Sequence, residues 1–389
     1  MYKKYHTSLI KIFILYQFVF FSNCVEPVEP EFDLITGLVT VEAIISNEEE
    51  SSFVKIQESE LGLVFGLYKN YPINGADITF VNTNTSEIVN LLENDEANIY
   101  LPPSDFVAEV GDSWELDIKL ADGRHYKSFP EKIKEPVVIE GIDAEYKQEL
   151  EYSVESKRFI SGHEINVSFN DPVEEENYYY WSYKSFETKT ICQECVDSFY
   201  RGGYCNDFGV YPTPNQRDPF TITYECEVDC WRIRYNQNVE ILEDEFINGS
   251  TVAQMPIANV LLHNKRDILV EVKQFSLSKP AYNYYKVLKD IVENNSGFNA
   301  PPPAALVGNM YNVNNSEEYV LGRFTAAATS KATIFLEREA LQGTVADPVD
   351  LFFPESDSNP TPPGAPPVLY APCVEGFYST SIKPEGWQN

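Results

Sequence analysis

Seven cysteines are the residues of this chain best suited to chemistry: Cys24, Cys192, Cys195, Cys205, Cys226, Cys230 and Cys373. Cys192-x-x-Cys195 and Cys226-x-x-x-Cys230 have the spacing of thiolate ligands for a tetrahedral metal such as zinc. The same residues could instead close disulfides, and the compartment decides, because thiols oxidise outside the cytosol and stay reduced within it. Residues 1–23 carry Lys3, Lys4 and Lys11, no acid, and an apolar run from Ile12 to Phe21 broken only by Gln17. That is the charged start and short greasy middle of an export signal, about half the ~20 apolar residues a spanning helix needs. Phe21-Ser22-Asn23-Cys24 has the outline of a lipobox, with Asn23 departing from the usual small residue, so Cys24 is expected to carry a lipid. A simple secreted protein is the alternative, but no A-x-A-like cleavage site precedes Cys24. Setting Cys24 aside leaves an even six, and export favours disulfides over zinc, with the pairing left open.

Other catalytic constellations are missing from the sequence. Of four histidines, His6 leaves with the signal, while His125, His163 and His263 have no partner at metal or triad spacing and read as solvated strays. There is no G-x-S-x-G, no H-E-x-x-H, no P-loop and no dinucleotide fingerprint. Glu48-Glu49-Glu50 and Glu174-Glu175-Glu176 lack the alternation of a calcium loop and read as solvated turns. The expectation is a protein that is not an enzyme and needs no cofactor or metal. The strongest ligand-like feature is Tyr178-Tyr179-Tyr180-Trp181, since aromatic faces stack on sugars and peptides. Tyr178, Tyr180 and Trp181 are the candidates there, against the plainer account that alternate strand residues face a core. Asn309 and Tyr311, in the loop Gly308-Asn309-Met310-Tyr311, are candidate partner contacts.

The elements that must position these residues are mostly strands. Aromatics make up 14% of the chain, chiefly 25 Tyr and 24 Phe, which favours β structure. The formal charge of −31 becomes −34 without the three leader lysines, which argues against nucleic acid and anionic membrane surfaces as partners. Residues 24–32, with Glu26, Glu29 and Glu31 interspersed with Pro27 and Pro30, form an acidic tether. From 33 to 136, short alternating runs such as Ala76–Phe80 and Trp114–Leu120, separated by Asn74-Gly75, Gly111 and Asp122-Gly123, predict an antiparallel Ig-like β-sandwich. Residues 137–350 read as a larger β-rich domain, with strands at 165–169, 267–272, 318–325 and 332–337. It carries one amphipathic helix at 279–294, capped by Ser278, with Ala281, Tyr285, Leu288 and Val292 on one face. Five of the six paired cysteines lie within 39 residues, so 192–230 is expected as a disulfide-stapled insertion. A proline-rich tail, 351–389, would run extended until Cys373 pins it.

Several stretches taken in order resemble a known family. They are YPINGADITFVN at 71–82, VGDSWELDIKLADGRHYKS at 110–128, FNDPVEEENYYYW at 169–181 and SLSKPAYNYYKVLKDI at 276–291. PPPAALVGNMYNVNNSEEYVLGRFTAAATSKATIF at 301–335 and CVEGFYSTSIKPEGW at 373–387 complete the series. Together they resemble the Bacteroidota lipoproteins known as domain of unknown function 4249, although a second cysteine common near the family's C-terminal end has no counterpart here. The resemblance implies a lipid-anchored protein on the outer membrane, on its extracellular face, beside a SusC-like TonB-dependent barrel. Its role there would be accessory and non-catalytic: capturing or gating an unknown nutrient. A structural subunit of another outer-membrane assembly is the alternative.

Overall fold

The computed structural model describes residues 37–61, 68–94, 98–154, 156–173, 175–196, 198–207, 221–236, 238–294, 306–346, 353–354 and 369–388. The leader, Cys24, the acidic tether and residues 355–368 of the proline-rich tail lie outside the described residues. The chain is mainly β, and its sheets pack as two sandwiches with a small stapled annex.

In the first sandwich, one sheet pairs Val320–Ala326, Val39–Ile45, Phe53–Leu61, Ile99–Leu101 and Leu92–Asn94 in that order, with Tyr68–Pro72 added on Phe53–Leu61. The facing sheet runs Met310–Asn312, His125–Ser128, Ser113–Lys119, Asp77–Asn82 and Ile88–Asn90, with Glu131–Lys132 on Ser113–Lys119. Alternation explains its core, because every second residue of a strand points to the same face. Val39, Val41 and Ala43 meet Ile78, Phe80, Leu116 and Ile118 in one buried cluster. Gly75, Gly111 and Gly123 all take the left-handed backbone that their turns require (φ +69°, +92° and +94°).

Two features depart from the sequence expectation for residues 33–136. The sandwich is completed by strands from 310–326, so the boundary at 136 does not enclose it. It is also not purely antiparallel, since Val320–Ala326 runs parallel to Val39–Ile45. The pairing brings the backbones close: Gly322, at φ +90°, sits where any Cβ would overlap the Val41 carbonyl, and a Cβ on Gly308 would overlap the carbonyl of Gly322. After Ala327 the same chain continues as Ala328–Leu336 into the second sandwich, so one stretch threads both.

The second sandwich packs Ile139–Ser153, Arg158–Asn170 and Thr251–Leu261 against a wider sheet. That sheet runs Ala328–Leu336, Ile268–Ser276, Tyr178–Thr188, Trp231–Tyr235 and Ser379–Thr380, with Glu240–Glu243 also on Tyr178–Thr188. Ile165, Val167, Phe169, Tyr179, Trp181, Val270 and Val272 form its core. The helix Lys279–Asn294 lies where the sequence predicts it, and Ser278 Oγ accepts from Ala281 N at 3.2 Å as its cap. Its buried face is narrower than expected: Ala281 and Tyr282 are buried, whereas Val292 is exposed.

The insertion forms a third, much smaller core of Cys195, Tyr200, Ile222, Tyr224 and Ala371. Three disulfides hold it, Cys192–Cys226, Cys195–Cys205 and Cys230–Cys373. The sulfurs of Cys192, Cys230 and Cys373 do gather within 4.8 Å, but each is already bonded in a disulfide, so none is a thiolate ligand for zinc. Cys373 pins the C-terminal segment, whose Leu369 and Ala371 carbonyls accept from Glu225 N and Glu227 N.

Candidate functional site

The strand Tyr178–Thr188 changes partner part-way along one edge, and a cleft opens where it does. Trp231–Tyr235 covers Lys184 to Thr188, and Glu240–Glu243 covers Tyr178 to Trp181. Between them Asn236 stands in for a strand: its N–H donates to Tyr183 O at 3.1 Å and its Oδ1 accepts from Tyr183 N at 3.2 Å. The resulting cleft, about 1190 Å³, draws its lining from both faces of this sheet, from the first sandwich and from the C-terminal segment.

One half is aromatic with paired charges. Register sets Tyr180 beside Phe275, Ser182 beside Lys273 and Lys184 beside Glu271, so all six share a face. Tyr180 stacks on Tyr285 of the helix at 4.7 Å and on Phe275 at 5.5 Å, and burial pushes its phenol up to about 12. Phe53 and Lys55 from the first sandwich complete the wall with Phe377, which stacks on Tyr235 at 4.2 Å. Lys184 pairs with Glu271 at 3.2 Å. Lys273 instead donates to the Ser51 hydroxyl at 2.7 Å, with no carboxylate in ion-pair range among the described residues. Burial lowers its ammonium to about 8; Glu271 opposes that shift, and Lys184 and Lys331 add to it.

The other half is built of guanidinium groups. Alternation turns Glu187 to the opposite face from Lys184, and the same register puts Arg232 and Arg234 next to it. Arg234 reaches the Glu187 carboxylate at 3.1 Å, Arg232 at 3.5 Å, and Asn264 Nδ2 donates to it at 2.9 Å. Arg338, only 2% exposed, donates from Nη2 to Leu261 O, and its Nε has no hydrogen-bond partner among the described residues. Burial lowers the Arg338 guanidinium to about 10, against the pull of Glu187. Burial also lowers Lys189, with Arg232 adding to the effect.

The aromatic run proves divided. Trp181, expected as a contact, is a core residue, 1% exposed, donating from Nε1 to Gln274 Oε1 at 2.9 Å. Tyr178 is likewise buried against Tyr282 and donates to Glu176. Of the three candidates there, Tyr180 alone lines the cleft. Asn309 also leaves the contact list, because its buried amide donates to Phe324 O at 2.9 Å and accepts from Phe324 N at 3.0 Å, replacing a missing strand partner. Tyr311 is half-buried and packs on Phe129 at 5.1 Å, away from the cleft. His163 is no solvated stray: it is buried against Tyr146 with no hydrogen-bond partner for Nδ1 among the described residues, and burial beside Arg338 pulls it down to about 4. His125 is paired with Asp117 at 2.9 Å.

Sequence reading missed Lys273, Glu187, Arg338 and the pair Arg232-x-Arg234. The alternation in WRIRY was the one local signal; the rest are brought together by strand pairing across distant segments.

Residues 25–333 match the sequence profile of the domain of unknown function DUF4249. The chain belongs to the DUF4249 family. The matched span contains most of both sandwiches and most of the cleft lining, while Arg338, Phe377 and Tyr378 lie beyond it. A search of curated proteins finds no match.

Proposed function

We propose that this DUF4249 protein is a non-catalytic lipoprotein of the outer membrane's extracellular face, anchored through Cys24. It acts as an accessory subunit of a SusC-like TonB-dependent transporter, helping to capture or gate a nutrient. The observation that carries the binding role is the cleft of about 1190 Å³, with aromatic faces and fixed charges converging on it. The lipobox-like Phe21-Ser22-Asn23-Cys24 and the acidic tether support the anchored, surface-facing part of this reading. The alternative, a scaffold subunit, loses a support with Asn309, which is spent on the Phe324 backbone.

Affinity purification of the tagged full chain from outer membranes tests it. A TonB-dependent barrel is expected among the recovered proteins, and Cys24→Ala is expected to abolish membrane retention. Recovery of no barrel, or unchanged retention of the C24A protein, would overturn the corresponding part.

A further inference from the structure

The two halves of the cleft differ in charge. In the aromatic half Lys55, Lys184 and Lys273 are matched in number by Glu42, Glu50 and Glu271. In the other half Lys189, Arg232, Arg234 and Arg338 share the lining with Glu151 and Glu187, while Asp267 and Glu194 act on Arg338 and Lys189 from outside it. A positive excess gathered in a cleft is unexpected in a chain of net charge −31, where scattered cations would sit among carboxylates. Arg338 adds a second observation: this lining residue is almost wholly buried, yet its Nε has no hydrogen-bond partner among the described residues. Burying a guanidinium without a full set of acceptors is costly, and an oxyanion held in the cleft beside it would offset its charge.

We propose that the arginine half of the cleft is a binding site for a compact oxyanion, a carboxylate or phosphate group carried by the ligand. Arg232, Arg234 and Arg338 supply the donors, because planar guanidinium forks match the two oxygens of such a group. Glu187 holds two of these arginines at 3.1 and 3.5 Å and would compete with an incoming anion for them. This deepens the capture reading and rests on the cleft being the ligand site; it does not depend on the barrel.

Isothermal titration calorimetry of the purified full chain, at low ionic strength and neutral pH, tests the site with citrate and inorganic phosphate as separate probes. Saturable binding of at least one is expected, and the response of the two distinguishes carboxylate from phosphate. Arg232→Gln, at a side chain 43% exposed where folding is not at stake, should weaken it about tenfold. Glu187→Gln, which removes the internal competitor, should tighten it several-fold; if that variant fails to fold, R232Q decides alone. Saturation by neither anion, or an affinity that R232Q leaves unchanged, overturns the proposal. Anion binding in a protein that recovers no barrel would fail only the docking reading, and barrel recovery without anion binding would fail only this one.

Discussion

The first sandwich and the cysteine-rich insertion are both built of short strands, yet they are stabilised by different means. The sandwich gathers a continuous core from Val39 to Ala328, with Phe80, Trp114, Tyr126 and Phe324 at its centre, and carries no disulfide. The insertion has a core of five residues, two pairs of strands joined by tail segments, and three cross-links. Apolar burial scales with the size of the packed body, so a small annex cannot offset its chain entropy by burial alone. Covalent constraint of the unfolded chain substitutes for the missing core. The difference teaches where this protein is vulnerable: to cavities in one region and to reduction in the other.

The largest break in that contrast is expected from Phe80→Ala. Phe80 is fully buried and meets Phe324 at 5.8 Å, so its removal should cost about 3–5 kcal/mol in urea unfolding. Next comes the paired change Cys195→Ser with Cys205→Ser, which opens a closure of sequence separation 10 and should cost about 2–3 kcal/mol on chain-entropy grounds. Hydrogen exchange should localise that loss to the insertion, with protection in 39–45 and 113–119 unchanged. Loss of protection in those strands would show that the two regions do not hold independently.

A pH dependence in the second sandwich completes the comparison. His163 is held neutral, its pKa falling from 6.5 to about 4 on folding, so between those values the unfolded chain binds more protons. Stability from this group is complete above about pH 6.5 and is lost as pH falls toward 4. Chemical denaturation across that window should show the decline, and His163→Gln should flatten it. An unchanged slope in H163Q would assign the acid sensitivity to other groups.

Much of the fold was legible because local signals were redundant. The alternation of Trp114, Leu116 and Ile118, the turn glycines and the Ser278 cap each report on neighbouring residues, and each lies where the sequence predicts. The return of 310–326 into the first sandwich was not legible, because it rests on strand pairing with distant segments, such as Gly322 opposite Val41, 281 residues away in the chain. The aromatic run YYYW illustrates the same divide. Its strand was readable, and alternation required some members to face inward, but which of them met solvent depended on what packed on each face. Trp181 fell to the core and Tyr180 to the cleft.

By itself the sequence determined a β-rich chain, its helix, its turns and the oxidised state expected of six cysteines, because these follow from side-chain periodicity and backbone preferences acting over a few residues. Only the tertiary structure decided which cysteines pair and where the two sandwiches divide the chain. It also set Glu187 between Arg232 and Arg234 beside a buried Arg338. Those outcomes depend on strand register and on contacts between distant segments, and a charge excess in a cleft exists only once the segments have met.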